Sequence, residues 1–132
     1  MKLKFHQALA IFAFLVLLEI VLNPDIRECN TISGHVVLVF HHIISVFGYA
    51  TPFLFAIYKI HLAFIIIVFA GFFYFKRCWI TIMHNYLCEI EDLEKFKNIH
   101  YHVSNLFGWN PLVYHNLLHS CLLLYDVYKI MV

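Results

Sequence analysis

Apolar residues in this chain come in long blocks rather than alternating with polar ones. Four blocks stand out, each near the roughly 20 residues that a helix needs to cross a bilayer: about 5–22, 35–57, 60–77 and 112–131. Asn23-Pro24 stops the first, and Ser33 or Asn30 offers a helix cap before the second. Gly48 and Pro52 predict a kink in the second half of block two. Tyr58-Lys59 make so short a connection that blocks two and three should be antiparallel neighbours. Block three is apolar through Phe75, with Lys76-Arg77 placed to snorkel to an interface, and 78–87 could continue the same helix. The fourth block is diluted by His115, Asn116, His119 and Asp126. The pattern therefore predicts an all-α polytopic membrane protein, a bundle of about four transmembrane helices, with three as the alternative. A charged and interfacial connection, 89–110, joins the last two blocks; Glu89–Asn98 is its solvated part, and Trp109 is placed as an interfacial anchor.

Composition agrees with the pattern. The chain has 132 residues, enough for a single domain, of which 63% are hydrophobic and 13% charged. Soluble domains carry roughly twice that share of charge. A formal net charge of +1 leaves no clustered basic face for nucleic acid, so the expected partners are the lipid bilayer and other membrane proteins or further copies of the chain. Met1–Lys4 followed by Phe5–Leu22 resembles a secretory signal, but Glu19 interrupts the apolar run and no small-x-small site follows; an uncleaved first span is expected. Cys29, Cys78, Cys88 and Cys121 form no CxxC pair, and no disulfide framework is expected from them. Basic residues divide almost evenly between the two sides of an even-span topology, so orientation stays open.

Candidate chemistry lies in the histidines, of which there are ten. An ionisable ring inside hydrocarbon is costly and faces a bundle interior, a partner or a cofactor. On block two, His35, His42, Ser45 and Tyr49 share a helical face, whereas His41 points elsewhere. On block four, His115, His119 and Asp126 share one. If a cofactor site exists, it lies where these faces meet, with His42, His115 and His119 holding haem b or a transition metal and Asp126 orienting a ring. The plainer alternative is interhelical hydrogen bonding by the same rings, with His6, His35 and His61 at interfaces. Glu19 and Asp126 are expected to turn away from lipid.

A second constellation runs from Arg77 to Cys88. Cys78, Thr81, Asn85 and Cys88 repeat at helical spacing and make a small polar face suited to close packing. His84 and Cys88 are four apart, a donor pair that suits zinc, although the spacing matches no familiar finger or ribbon. Arg77-Cys78-x-x-Thr81, then Asn85-x-Leu87-Cys88, with Tyr101 and Gly108 further on, resembles uncharacterised small multi-span membrane proteins. These include a bacterial domain of unknown function and short proteins of large double-stranded DNA viruses, which also carry histidines in the preceding spans, here His41-His42 and His61. The resemblance covers about Gly34–Gly108 and implies a membrane-embedded helical bundle with no established activity. The paired His41-His42 also resembles the ceramide-synthase-related lipid-sensing domain, which is longer and has a further acidic motif that this chain lacks. No phosphate loop, nucleophile elbow, potassium filter or arginine-rich span is present. The leading expectation is a structural or interaction component of a membrane assembly, not an enzyme. The alternatives are a haem or metal redox protein, and a lipid-modifying enzyme with His41 or His42 as general base.

Overall fold

The computed structural model describes residues 3–22, 29–75, 78–89 and 99–132, all in helices and short connections. The order is α1 (Phe5–Leu22), α2 (Ile32–Leu54), α3 (Tyr58–Phe75), α4 (Trp79–Leu87), α5 (Ile99–Leu106) and α6 (Pro111–Met131). The fold is all-helical, and α1, α2 and α3 are long and apolar enough to cross a membrane. At 21 residues α6 matches them in length, but its polar groups leave it outside that set.

The central element is α2, which packs against α1, α3, α4 and α6. It starts earlier than the hydrophobic block suggested because Thr31, not Ser33 or Asn30, is its N-cap, accepting a bond from the Gly34 amide at 3.1 Å. It ends soon after Pro52, where the Phe55 amide donates to the Thr51 carbonyl at 2.8 Å. The next helix starts within three residues, so α3 runs back along α2 as expected.

The stretch after α3 does not prolong it. Cys78 is the N-cap of a separate nine-residue helix, α4, which folds back on the first half of α2. Trp79 at its start comes back beside Gly71 of α3, where a Cβ would lie in ordinary contact with the indole at 3.5 Å. Between α5 and α6, Gly108 adopts φ +66°, the left-handed conformation that ends a helix without Cβ strain. The Trp109 amide reaches the Ser104 carbonyl at 2.8 Å and the Gly108 amide that of Asn105 at 3.1 Å, a Schellman closure. Asn110 then caps α6 by accepting from the Leu112 and Val113 amides, with Pro111 in the first turn, where no N–H is missed. The helix α6 packs mainly along α3, with Phe72 near the end of α3 against His115 near the start of α6. The two are antiparallel. The expected snorkelling of Lys76-Arg77 and the charged run at 90–98 lie outside the described residues, as do residues 23–28 of the first loop.

Polarity is distributed inside out. The fully or nearly buried residues include Glu19, His41, His42, Thr51, His61, His84, Asn85, Ser104, His119 and Asp126. Large apolar side chains cover the outside, with Phe14, Leu17 and Val21 on α1 and Ile66, Ile67 and Phe73 on α3 more than half exposed. A small apolar core, Val16 with Val46 and Ala50, joins α1 to α2.

Candidate functional site

Two buried carboxylates organise the interior, and both are turned away from the outer surface as the sequence predicted. Glu19 lies in the last turns of α1, 2% exposed. Its Oε2 is 2.9 Å from His42 Nδ1, and its Oε1 accepts from Ser45 Oγ at 3.3 Å. The polar stripe of α2 thus faces α1. His42 is thereby committed to α1 and not to the face of α6, where the sequence suggested a shared site with His115 and His119.

Asp126, fully buried near the end of α6, pairs with His61 on α3 at 2.6 Å between Oδ2 and Nδ1. His61, expected at an interface, is instead completely enclosed. Its other nitrogen, Nε2, donates to the Gly48 carbonyl of α2 at 2.9 Å. That carbonyl needs a donor for a reason written in the chain. In an α-helix it would accept from the residue four ahead, which is Pro52, and proline has no N–H. His61 supplies the missing hydrogen. With Nε2 committed as a donor, a single proton lies between Nδ1 and the carboxylate, so the pair is neutral overall whichever atom carries it. One imidazole therefore ties α2, α3 and α6 together.

The remaining rings surround a cavity of about 120 Å³ between α2, α3, α4 and α6. Its polar wall is His41, Ser45, Cys78, His115 and His119, and Phe72 forms part of the apolar side. His115 and His119 stack at 3.9 Å between ring centroids, one turn apart on α6, and His119 Nδ1 donates to the His115 carbonyl at 2.8 Å. Phe72 covers His115 at 4.0 Å, and Phe69 meets His119 edge-on. Across the cavity His41 Nε2 lies 3.7 Å from Cys78 Sγ. Of the rings proposed to hold a cofactor, His115 and His119 line the cavity together, whereas His42 is bonded to Glu19; the α2 histidine that reaches the cavity is His41. Among the described residues no three His, Cys, Asp or Glu donors converge here as a metal would need.

They do converge elsewhere. His84 and Cys88, paired by sequence spacing, are joined by Cys29 at the opposite end of α2, and Cys29 forms a disulfide bond with Cys88. This corrects the expectation of no disulfide: the partners are 59 residues apart and meet only because α4 runs back along α2. Gly34 is obligatory here, since a Cβ at that position would overlap both sulfurs. Thr31 Oγ1 donates to the Leu87 carbonyl at 2.7 Å and fastens the same junction. No protein family, curated protein or solved structure matches the chain.

Proposed function

We propose that the chain is a multi-pass integral membrane protein that acts as a structural or interaction component of a membrane assembly, with the lipid bilayer and other membrane proteins or further copies of itself as partners. The inverted distribution of polarity carries this reading. In water, an outer surface of Phe, Leu, Ile and Val around an interior of histidines and carboxylates would be unstable on both counts. In hydrocarbon, both features are favourable, because each of the two buried carboxylates finds an imidazole on another helix. The structural role is supported by the use to which the histidines are put: His42, which the sequence offered to a cofactor, and His61, expected at an interface, are interhelical fasteners. A haem between α2 and α6 would require those helices to part, since the cavity of about 120 Å³ is well below the roughly 300–1,000 Å³ of ordinary ligand sites. Alkaline carbonate extraction of membranes tests the first half, with the protein retained in the pellet; its release into the supernatant would sink the proposal. A stoichiometric Soret band in the purified protein would overturn the second half in favour of a redox role.

One observation favours a second reading, lipid modification. Cys78 Sγ and His41 Nε2 lie 3.7 Å apart in the cavity wall, a nucleophile beside a base. His41 would take the thiol proton as sulfur attacks the carbonyl of an acyl thioester, and would return it to the departing thiol as the donor's C–S bond breaks. Incubation with a long-chain acyl thioester should then leave one acyl group on Cys78, detected by mass; an unmodified Cys78 retires this reading.

A further inference from the structure

At the end of α2 away from Pro52, three soft donors come from two distant parts of the chain. Cys29 precedes the α2 N-cap, while His84 and Cys88 lie one turn apart at the end of α4, and their ligand atoms all fall within 4.8 Å of one another. The side chains are buried, with 4%, 0% and 8% exposure. His84 is already oriented for ligation. Its Nδ1 lies 3.2 Å from Asn85 Oδ1 and its Nε2 3.3 Å from Cys88 Sγ, so donation from Nδ1 to the amide oxygen would turn the Nε2 lone pair toward the sulfurs once the disulfide is reduced. That is the arrangement in which a neighbouring amide fixes the tautomer and aim of a metal-binding imidazole. Thr31 Oγ1 lies 3.8 Å from Cys29 Sγ, an outer contact for the second sulfur.

We infer that Cys29, His84 and Cys88 form a redox-gated site for a thiophilic transition-metal ion such as Zn2+, closed by the Cys29–Cys88 disulfide and opened by its reduction. A thiol or phosphine reductant supplies two electrons, the S–S bond breaks, and each sulfur takes up one proton. The arriving Zn2+ displaces both thiol protons to solvent and forms two Zn–S bonds and one Zn–N bond to His84 Nε2. Two thiolates and a neutral imidazole around a dication give zero net charge, the one combination that a site this buried tolerates cheaply. Zn–S bonds of about 2.3 Å place two sulfurs roughly 3.7 Å apart in a tetrahedron, so the bonded sulfurs must separate on reduction before the ion can sit between them. The fourth position is left to water, as in open zinc sites. Thiolate and imidazole together select Zn2+ or Cu+ over Mg2+ or Ca2+. This site is independent of the membrane role proposed above.

The test uses the full chain in detergent, reduced with a phosphine that is then removed, and titrated with Co2+ as a spectroscopic probe for Zn2+. One Co2+ per chain should bind, with thiolate-to-cobalt charge transfer in the near ultraviolet and tetrahedral d–d bands in the visible, both bleached by Zn2+. The disulfide form should show neither. Replacing the two free cysteines, Cys78→Ser with Cys121→Ser, should leave the spectrum intact. His84→Ala should abolish the tetrahedral bands, and Asn85→Ala should weaken binding about 10–100-fold. Local folding in these two variants is read from re-formation of the Cys29–Cys88 bond on reoxidation, mapped by mass spectrometry. The inference is overturned if the reduced wild-type chain gives no thiolate-to-cobalt band, if the band survives Cys29→Ser undiminished, or if the wild-type disulfide does not re-form after metal-free reduction.

Discussion

Removing Pro52 should make His61 less necessary. In the native chain the Gly48 carbonyl has lost its helical donor to Pro52 and receives one from His61 Nε2 at 2.9 Å. His61→Ala then does two kinds of damage: it orphans that carbonyl, and it leaves Asp126, 0% exposed, without the imidazole 2.6 Å away. An orphaned buried acceptor costs about 1–3 kcal/mol in soluble proteins. Breaking a buried carboxylate pair costs about 3–5 kcal/mol. Within a bilayer the hydrogen-bond share shrinks, since measured interhelical bonds average about 0.6 and reach about 1.7 kcal/mol. The absolute loss is therefore a blend of two terms. A double-mutant cycle separates them.

In Pro52→Ala the amide of residue 52 returns and satisfies Gly48 from within α2. His61→Ala in that background forfeits the Asp126 contact but orphans nothing on α2. The second substitution should thus cost about 1 kcal/mol less in the Pro52→Ala background than in the native chain, a positive coupling between residues on different helices. The measurement is reversible unfolding in mixed micelles as the SDS fraction is raised, followed by helix content, for the native chain, both single variants and the double variant. A parallel cycle of Pro52→Ala with Asp126→Asn controls for general straightening of α2 and should show less coupling, because Asp126 touches His61 and not Gly48. Additivity of Pro52→Ala and His61→Ala within about 0.3–0.5 kcal/mol would refute the reasoning, and His61 would then be held by Asp126 alone.

Asp126→Leu should destabilise the bundle by about 1–3 kcal/mol in the same assay, because it leaves the buried Nδ1 of His61 without its partner, whereas Asp126→Asn should cost less, since its amide N–H can donate to Nδ1 while Nε2 still donates to Gly48; equal stability of the Asp126→Leu and native chains would mean that the pair does not hold α3 to α6. Glu19→Leu should release His42 and Ser45 together; a cysteine pair placed across the α1–α2 contact should then cross-link more slowly, and an unchanged rate would show that the apolar core of Val16, Val46 and Ala50 suffices alone. Gly34→Ala should prevent formation of the Cys29–Cys88 bond, read as two additional alkylatable thiols, because the added methyl occupies the place of both sulfurs. Tags beside Lys4 and after Lys129 should be cleaved from the same face of sealed vesicles, since Phe5 packs on Phe55, and Lys129 lies over Tyr125, which meets Phe53 and Tyr58 at the same end; protection of one tag only would contradict the antiparallel α3–α6 pairing.

The helices themselves are legible because each is a long apolar block closed by local signals. Block one ends at Asn23-Pro24 and coincides with α1. The boundaries of α2 slide by three residues, since several polar residues before Gly34 could cap and only the fold selects Thr31. What spacing alone does not disclose is which face meets which. The stripe of His42 and Ser45 and the stripe of His115, His119 and Asp126 both turn inward, but an inward face on one helix has three or more neighbours to choose from. Glu19 takes the first stripe. His61 takes Asp126. One signal foretells the latter: a proline at 52 in a helix names the carbonyl at 48 as short of a donor, and the short 55–57 connection returns His61 to that depth.

The same limit explains why Cys29 escapes a reading of the sequence while His84 and Cys88 do not. A pair four apart on one helix is visible in any helical projection, whereas a third donor 59 residues earlier becomes a neighbour only through the tertiary path of α4. Polar groups in an apolar bundle behave differently here from apolar ones. Leu or Phe can face lipid or a helix at similar cost, so the apolar pattern fixes secondary structure and little else. A buried carboxylate or imidazole must find a specific partner, which makes each such residue a constraint on tertiary arrangement. In this chain those constraints lie at two levels of the bundle. Gly48, His61 and Asp126 close the end near the α2–α3 turn, and Thr31, Gly34 and the Cys29–Cys88 bond close the other. The cavity of His41, Cys78, His115 and His119 lies between these closures, and Gly48 belongs both to its wall and to the closure that His61 makes.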